Sequence, residues 1–160
     1  MSTIKRLVME NVCYHLIVRG NQKQDVFKNE DDYLMYLALL KRFKRKYKFR
    51  LYAYCLMPNH VHLLGELENP AFLSKFMHGL NRTYTLYFNN KYGKVGHLWQ
   101  GRFKSKIITR DKYLIDCINY IESNPIRSDL ADMLSEYTWN SYHARIFNVE
   151  NNIIDEWCLD

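Results

Sequence analysis

Residues 50–64 read RLYAYCLMPNHVHLL, and this stretch decides the predicted fold. Two apolar, β-favouring runs, 50–57 and 60–64, lie on either side of Pro58 and Asn59. Proline presets the backbone angle φ, and asparagine tolerates the backbone angles of a tight turn. The stretch therefore predicts a β-hairpin with a two-residue connection.

The rest of the chain places alternating strand and helix patterns around this hairpin. Before the hairpin, a β-favouring run is followed by helical spacing of apolar residues. After the hairpin, a helical pattern comes first, and a β-favouring run and a last helical pattern follow. The last helix ends before Pro125, which cannot continue a helix. The predicted segments are strands at 13–18 and 103–109 and helices at 31–46, 70–92 and 112–124. This βαββαβ order plus a C-terminal helix predicts an α+β fold: a ferredoxin-like or RRM-like antiparallel sheet with helices on one face.

Composition and charge narrow the function classes. The chain has 160 residues, of which 48% are hydrophobic, so a single domain with a substantial core is expected and disorder is excluded. No apolar run reaches the ~18 residues of a membrane-spanning helix, and the N-terminus lacks a signal-peptide pattern, so we expect no membrane. Residues 150–160 are acidic, whereas residues 1–149 carry a net charge of +10. A basic body with an acidic tail favours a polyanionic partner, although many ordinary proteins are as basic.

His60 and His62 are the sharpest local feature. Residues i and i+2 of a strand project from the same face, so two imidazoles can bind one divalent ion while Val61 packs on the other side. Two histidines need a third ligand, and an open site would suit Lewis-acid chemistry on a phosphate. The alternative is a pair of hydrogen-bonded histidines at a strand edge.

Tyr120 and Asn124 form a second candidate pair. They are four residues apart in the predicted last helix, so a phenol and an amide would share one helical face. A tyrosine hydroxyl can attack phosphorus when a bound ion polarises the phosphate, and the amide oxygen can serve as a neutral metal ligand. Tyr113, seven residues earlier, is the alternative nucleophile.

Two segments combine cations with aromatic rings, a pairing that suits phosphates and unpaired bases. The alternatives are a solvated helix end for the first segment and a plain turn before a strand for the second. The candidate DNA-binding residues are Lys41, Arg42, Lys44, Arg45, Lys46, Lys48 and Arg50 in the first, and Trp99, Arg102 and Lys104 in the second.

Four motifs taken together resemble the single-tyrosine HUH transposases, most closely the REP-associated tyrosine transposases. They are YHLIVRGN at 14–21, LMPNHVHLL at 56–64, GHLWQGRFKS at 96–105 and YIESNPIRSDL at 120–130. The resemblance covers residues 12–145 and implies one transposase domain over 1–149, with 150–160 as an acidic tail.

The resemblance assigns roles to the candidate residues. His60 and His62 correspond to metal ligands, Tyr120 to the nucleophile and Asn124 to the polar residue that completes metal binding, where relatives often carry glutamine. Arg127 joins the candidate DNA-binding residues. The implied activity is cleavage of single-stranded DNA beside hairpins or repetitive palindromes through a 5′-phosphotyrosine, with Mg²⁺ or Mn²⁺, followed by rejoining of strands. The implied setting is the bacterial cytoplasm, associated with the nucleoid, as a monomer or homodimer.

Two other functions stay open at this point. A domesticated module would bind hairpin DNA without cutting it and would be indifferent to Tyr120→Phe. A different metal phosphodiesterase would use activated water and leave no covalent adduct. We also expect that the acidic tail, with Trp157 and Asp160, lies over the basic site and inhibits it.

Overall fold

The computed structural model describes residues 9–109, 111–149 and 153–157. Four strands form one antiparallel sheet in the order β2-β3-β1-β4, with β1 and β3 in the centre. The strands are β1 (Cys13–Arg19), β2 (Phe49–Met57), β3 (His60–Leu67) and β4 (Lys104–Ile108), and the helices are α1 (Glu30–Tyr47), α2 (Leu73–Tyr92), α3 (Lys112–Glu122), α4 (Asn124–Arg127) and α5 (Ser141–Ile146). The predicted hairpin and the α+β fold with a ferredoxin-like sheet are confirmed.

One face of the sheet packs against α1 and α2 and holds the main core. Val61 and Leu63 of β3 project into it beside Leu40 of α1 and Phe76 of α2, and all four side chains are buried. Asn29 caps α1, because its side chain accepts a hydrogen bond from the backbone N–H of Asp32. This face contains the apolar residues whose spacing predicted the two long helices.

The other face of the sheet is covered by α3. Cys55 and Leu64 of the sheet form a second, smaller core with Leu114 and Ile118 of α3. Helices therefore lie on both faces: α1 and α2 share one face, as predicted, and the C-terminal helix α3 covers the opposite one. The amphipathic pattern of α3 explains this, since its apolar stripe needs a buried partner surface.

The end of α3 differs from the predicted end at Asn124. Asp111 caps the helix start by accepting from the N–H of Tyr113, and the helix ends at Glu122. Asn124 then opens the short α4, in which Pro125 lies in the first turn. Proline lacks the N–H that a continuing helix requires but fits a helix start, so the chain ends one helix and begins another.

The C-terminal segments fasten α3 and the edge strand β2. The buried Glu122 carboxylate accepts from Ser141 Oγ at 2.6 Å and pairs with Arg145 at 2.9 Å, which joins α3 to α5. Asp155 accepts from the N–H of Leu51 at 2.9 Å, so the described part of the tail lies along β2. Neither α5 nor this packing was predicted from the sequence.

We predict that Gly65→Ala lowers the free energy of unfolding by about 1–3 kcal/mol. An added Cβ would lie 2.0 Å from the carbonyl oxygen of Arg50, and backbone in a paired strand cannot move aside. Urea denaturation measures the loss. Val95→Ala is the control, because Val95 is 96% exposed. Equal stability of the two variants would contradict the tight contact between β2 and β3.

Candidate functional site

Four predicted site residues converge on the sheet face beneath α3. The rings of His60 and His62 have centroids 5.0 Å apart, and the Tyr120 ring lies 6.3 Å from that of His62. Asn124 Nδ2 is 2.7 Å from His62 Nε2. Although Asn124 belongs to α4 instead of α3, the fold brings it to the histidines as the sequence spacing suggested.

The hydrogen bond made by His60 sets which of its ring nitrogens has a free lone pair. His60 Nδ1 lies 2.6 Å from Oδ1 of Asn59, in the hairpin turn. A carboxamide oxygen can only accept, so Nδ1 carries the proton and donates it. Nε2 is left with its lone pair, which is the form that binds a metal ion.

Burial keeps the site histidines neutral. Desolvation lowers the pKa of His62 to about 3, with a further contribution from neighbouring His15. Desolvation also lowers the pKa of His60 to about 4, helped by the charge of Arg19. The imidazoles are therefore neutral at pH 7, and each carries a lone pair on one ring nitrogen.

His15 is a site residue that the sequence reasoning missed. Its Nε2 lies 2.9 Å from His62 Nδ1, and its ring centroid is 6.1 Å from that of Tyr120. Burial lowers its pKa to about 4 as well. The available signal was a polar residue, His15, inside the apolar run CYHLIV at 13–18. In a strand, His15 projects from the same face as Cys13 and Ile17.

Tyr120 stands at the surface of the site under an arginine. Its ring is 51% exposed, and the Arg127 guanidinium lies over it, 4.0 Å from the centroid. Arg127 also donates to the carbonyl oxygen of Tyr120 at 2.7 Å. Tyr113 lies two helical turns away, and the ring contacts of the described residues join it to none of the site histidines. The geometry therefore favours Tyr120 over Tyr113 as the nucleophile.

Cations surround the site on the same sheet face. Arg19 is paired with His60 across β1 and β3, and Lys106 with His15 across β1 and β4. Lys104, a predicted DNA-binding residue, pairs with Ile17 and so projects from the same face as Lys106. We call Arg19, Lys104, Lys106 and Arg127 the cationic rim. Arg19 and Lys106 were not identified from the sequence, because only the strand register places them here.

The basic run 41–50 is not brought to the histidines: its α1 part lies on the opposite face of the sheet, and Arg50 shares the histidine face but lies at the far end of β3, opposite Glu66. Three of its cations are engaged elsewhere: Lys44 pairs with Asp155 at 2.7 Å, Lys48 with Glu68 at 3.3 Å and Arg50 with Glu66 at 3.8 Å. Lys41 is half-buried, and Arg42, Arg45 and Lys46 are on the α1 side. Any DNA contact by this run would lie away from the candidate nucleophile.

The tail is only partly near the site. Asp155 is held at β2 and Lys44, whereas Trp157 lies over Arg145 and lines a cavity of about 500 Å³ together with Tyr120. Asp160 lies outside the described residues. An inhibitory role for the tail stays a prediction.

Trp99 offers little surface for base stacking. It is 8% exposed, packs against Tyr36 and Tyr84, and donates its indole N–H to the carbonyl of Asn81. Arg102 is exposed and lines a cavity of about 740 Å³ between α2 and the loop that precedes β4. The prediction that Trp99 stacks on DNA is therefore not supported by its packing.

The residues present fit a weakly held divalent ion. Among the described residues, no group of three or more His, Cys, Asp or Glu side chains could hold a metal ion. The candidate donors are instead Nε2 of His60 and, if the Asn124 amide turns its Nδ2 away from His62, Nε2 of His62 and the amide oxygen of Asn124. This neutral set leaves coordination positions open and adds no negative charge, so a phosphate ligand would complete it.

The comparison with protein families agrees with these features. Residues 8–124 match the model of the family described as "Transposase IS200 like". The chain belongs to this family. The resemblance inferred from the four motifs, including the REP-associated branch, is confirmed.

Individual relatives support the same assignment. A protein of Haemophilus influenzae (strain ATCC 51907 / DSM 11121 / KW20 / Rd) named "Putative REP-associated tyrosine transposase" is 31% identical over 111 residues, and the aligned region spans 62% of this chain and 62% of that protein. A REP-associated tyrosine transposase solved bound to a REP hairpin is 19% identical, with a TM-score of 0.76, over 100% of this chain and 93% of the other. A "putative transposase" from Deinococcus radiodurans has a TM-score of 0.51 at 19% identity, over 76% of this chain and 97% of the other. At such identities, the two structures show a shared fold. In the parts of this chain that the structure describes, no helix is long and apolar enough to cross a membrane.

We predict that stability falls as the pH is lowered from 7 to 5. Unfolded histidines take up protons near pH 6.5, whereas burial holds the pKa of folded His15 near 4 and that of folded His62 near 3. The unfolded state therefore binds more protons in this window, and each such histidine lowers the free energy of unfolding by up to about 1.4 kcal/mol per pH unit. The stabilisation is fully present above this window.

Urea denaturation at pH 7, 6 and 5 measures this slope. His62→Gln should make it shallower, and His78→Gln, a change on the exposed side of α2, should leave it unchanged. An identical slope in wild type and His62→Gln would contradict the burial argument.

Proposed function

We propose that this family member cleaves and rejoins single-stranded DNA beside hairpins or repeated palindromes. The observation that carries the proposal is that the Tyr120 ring lies 6.3 Å from that of His62, which stands beside His60 and against Asn124, all within one chain. A nucleophile, a potential metal site and the cationic rim then surround the same point.

The proposed reaction is an in-line displacement at a backbone phosphate. The phenolic oxygen of Tyr120 forms a bond to phosphorus, and the bond from phosphorus to the 3′ oxygen breaks. The phenolic proton passes to solvent, which the exposed ring allows, and the departing 3′ oxygen takes up a proton. The 5′ phosphate stays on Tyr120 as a phosphodiester. Attack by another 3′ hydroxyl can therefore reverse the step without an added energy source.

The histidines and Asn124 would hold the divalent ion, Mg²⁺ or Mn²⁺. When bound, such an ion supplies Lewis-acid stabilisation of the negative charge on the phosphate oxygens. The chain contributes neutral imidazoles with lone pairs on Nε2 and a ring of cations that attracts the DNA backbone. Arg127 holds the Tyr120 ring and backbone in place.

Support for a hairpin substrate comes from the solved relative, which is bound to a REP hairpin. Support for a single chain as the working unit comes from the packing of α3 on its own sheet, which assembles the site without a second copy. Location in the bacterial cytoplasm, near the nucleoid, follows from such a substrate and stays part of the proposal.

We predict that Tyr120→Phe abolishes the covalent protein–DNA adduct. The wild-type protein is incubated with Mn²⁺ and labelled single-stranded oligonucleotides that carry hairpins, and a denaturing gel detects the adduct. Tyr113→Phe is the matched control: it removes a hydroxyl from the same helix and should leave the adduct unchanged.

The other outcomes identify the alternatives. Loss of the adduct in Tyr113→Phe but not in Tyr120→Phe would make Tyr113 the nucleophile. DNA binding without any adduct would favour the non-cutting module, and cleavage without an adduct would favour hydrolysis by activated water.

We also predict that the cationic rim, not the α1 run, governs DNA binding. Replacing Lys104 and Lys106 by alanine should weaken binding and reduce the salt dependence by about 0.7 in log–log slope for each phosphate that the variant no longer neutralises. Replacing Arg45 and Lys46 removes the same charge from the opposite face and should have a smaller effect. Fluorescence anisotropy over a range of salt concentrations measures both, and the reverse ranking would place the DNA on α1.

A further inference from the structure

The three side chains Asn124, His62 and His15 form a continuous row of hydrogen bonds. Asn124 Nδ2 lies 2.7 Å from His62 Nε2, and His62 Nδ1 lies 2.9 Å from His15 Nε2. All three side chains are buried, at 7%, 4% and 7% exposed. Such a row inside a protein has only a few consistent arrangements of protons.

The amide end of the row decides the arrangement. An amide nitrogen carries hydrogens and no available lone pair, so Asn124 donates and His62 Nε2 accepts. Neutral His62 then carries its proton on Nδ1 and donates it to His15 Nε2, the only nitrogen arrangement that satisfies both contacts. The opposite tautomer would turn an N–H toward Asn124 Nδ2 and place two donors against each other.

We propose that His15 is a positioning residue that accepts the Nδ1 proton of His62 and thereby keeps the lone pair of His62 on Nε2. Its role parallels that of Asn59, which accepts from His60 Nδ1. His62 Nε2 accepts from Asn124 in this arrangement, so a divalent ion would reach that lone pair only if the Asn124 amide turned its Nδ2 away. The metal-related part of this inference rests on the proposed function, whereas the tautomer does not.

The fold explains why a histidine occupies this position. His15 lies on the central strand β1, two residues before Ile17, which is the direct partner of His62. The side chain reaches diagonally across the face, with its ring tilted by 28° against that of His62 at a centroid distance of 5.2 Å. Diagonal neighbours in a sheet are within reach of ring-sized side chains, so β1 can present an acceptor without leaving the ladder.

Imidazole ¹⁵N spectra of the metal-free protein test the hydrogen bond directly. Wild type should show His62 protonated on Nδ1 alone, and His15→Phe, which keeps a ring but removes the acceptor, should show a mixture of tautomers. His15→Gln restores an acceptor oxygen and should return most of the single tautomer. His78→Phe, on the exposed side of α2, should not change it.

Mn²⁺ binding, followed by paramagnetic line broadening without DNA, supplies a second measurement. His15→Phe should weaken binding by about 10–100-fold, the usual effect of removing a residue that orients a metal ligand, and His15→Gln should recover most of the affinity. Thermal melting of each variant establishes that it is folded.

Each result has a definite meaning. A wild-type His62 protonated on Nε2, or an unchanged tautomer and Mn²⁺ affinity in His15→Phe, would overturn the proposal. Equal losses in His15→Phe and His15→Gln would also overturn it, since packing rather than an acceptor would then be responsible. If wild type binds no Mn²⁺, the metal role in the proposed function fails, while the spectra still decide whether His15 sets the tautomer.

Discussion

The alternation of side chains along β3 is the constraint on which the rest of the structure depends. Val61 and Leu63 enter the core under α1 and α2, so His60 and His62 must project from the other face. A shift of register by one residue would bury the imidazoles among apolar side chains and expose the valine and leucine. The large core on one side therefore holds the site on the other in register, and stability and chemistry rest on the same strand.

Helix α3 completes the site because its apolar stripe packs on that face of the sheet. Its apolar stripe packs on Cys55 and Leu64, and the Glu122 carboxylate joins its end to α5 through Ser141 and Arg145. A buried carboxylate needs such partners, since an unpaired charge in the interior is costly. The rotation and end point of α3 are thereby fixed, and these two quantities set where the Tyr120 ring stands above the histidines.

The features that could be predicted from the sequence are those that depend on residues close together in the chain. The hairpin around Pro58 and Asn59 and the paired histidines could be read from residues close together in the chain. Asn124 lies against His62 although it belongs to α4 and not to the predicted last helix. Two cations of the rim, Arg19 and Lys106, could not be predicted, because only the strand register places them at the site. The burial of Trp99 could not be predicted, because burial depends on tertiary packing, and its contact with DNA stays a prediction.

The charges of the site point to the order in which its parts act. Burial holds the histidines neutral and Asn124 has no charge, so the ligand set alone attracts a cation only weakly. The surrounding residues Arg19, Lys106 and Arg127 would repel an ion that arrived by itself but attract a DNA phosphate. A phosphate within the rim offsets that repulsion and brings the negative charge that the imidazoles lack. In the proposed reaction, a divalent ion would therefore bind together with a DNA phosphate and not before it.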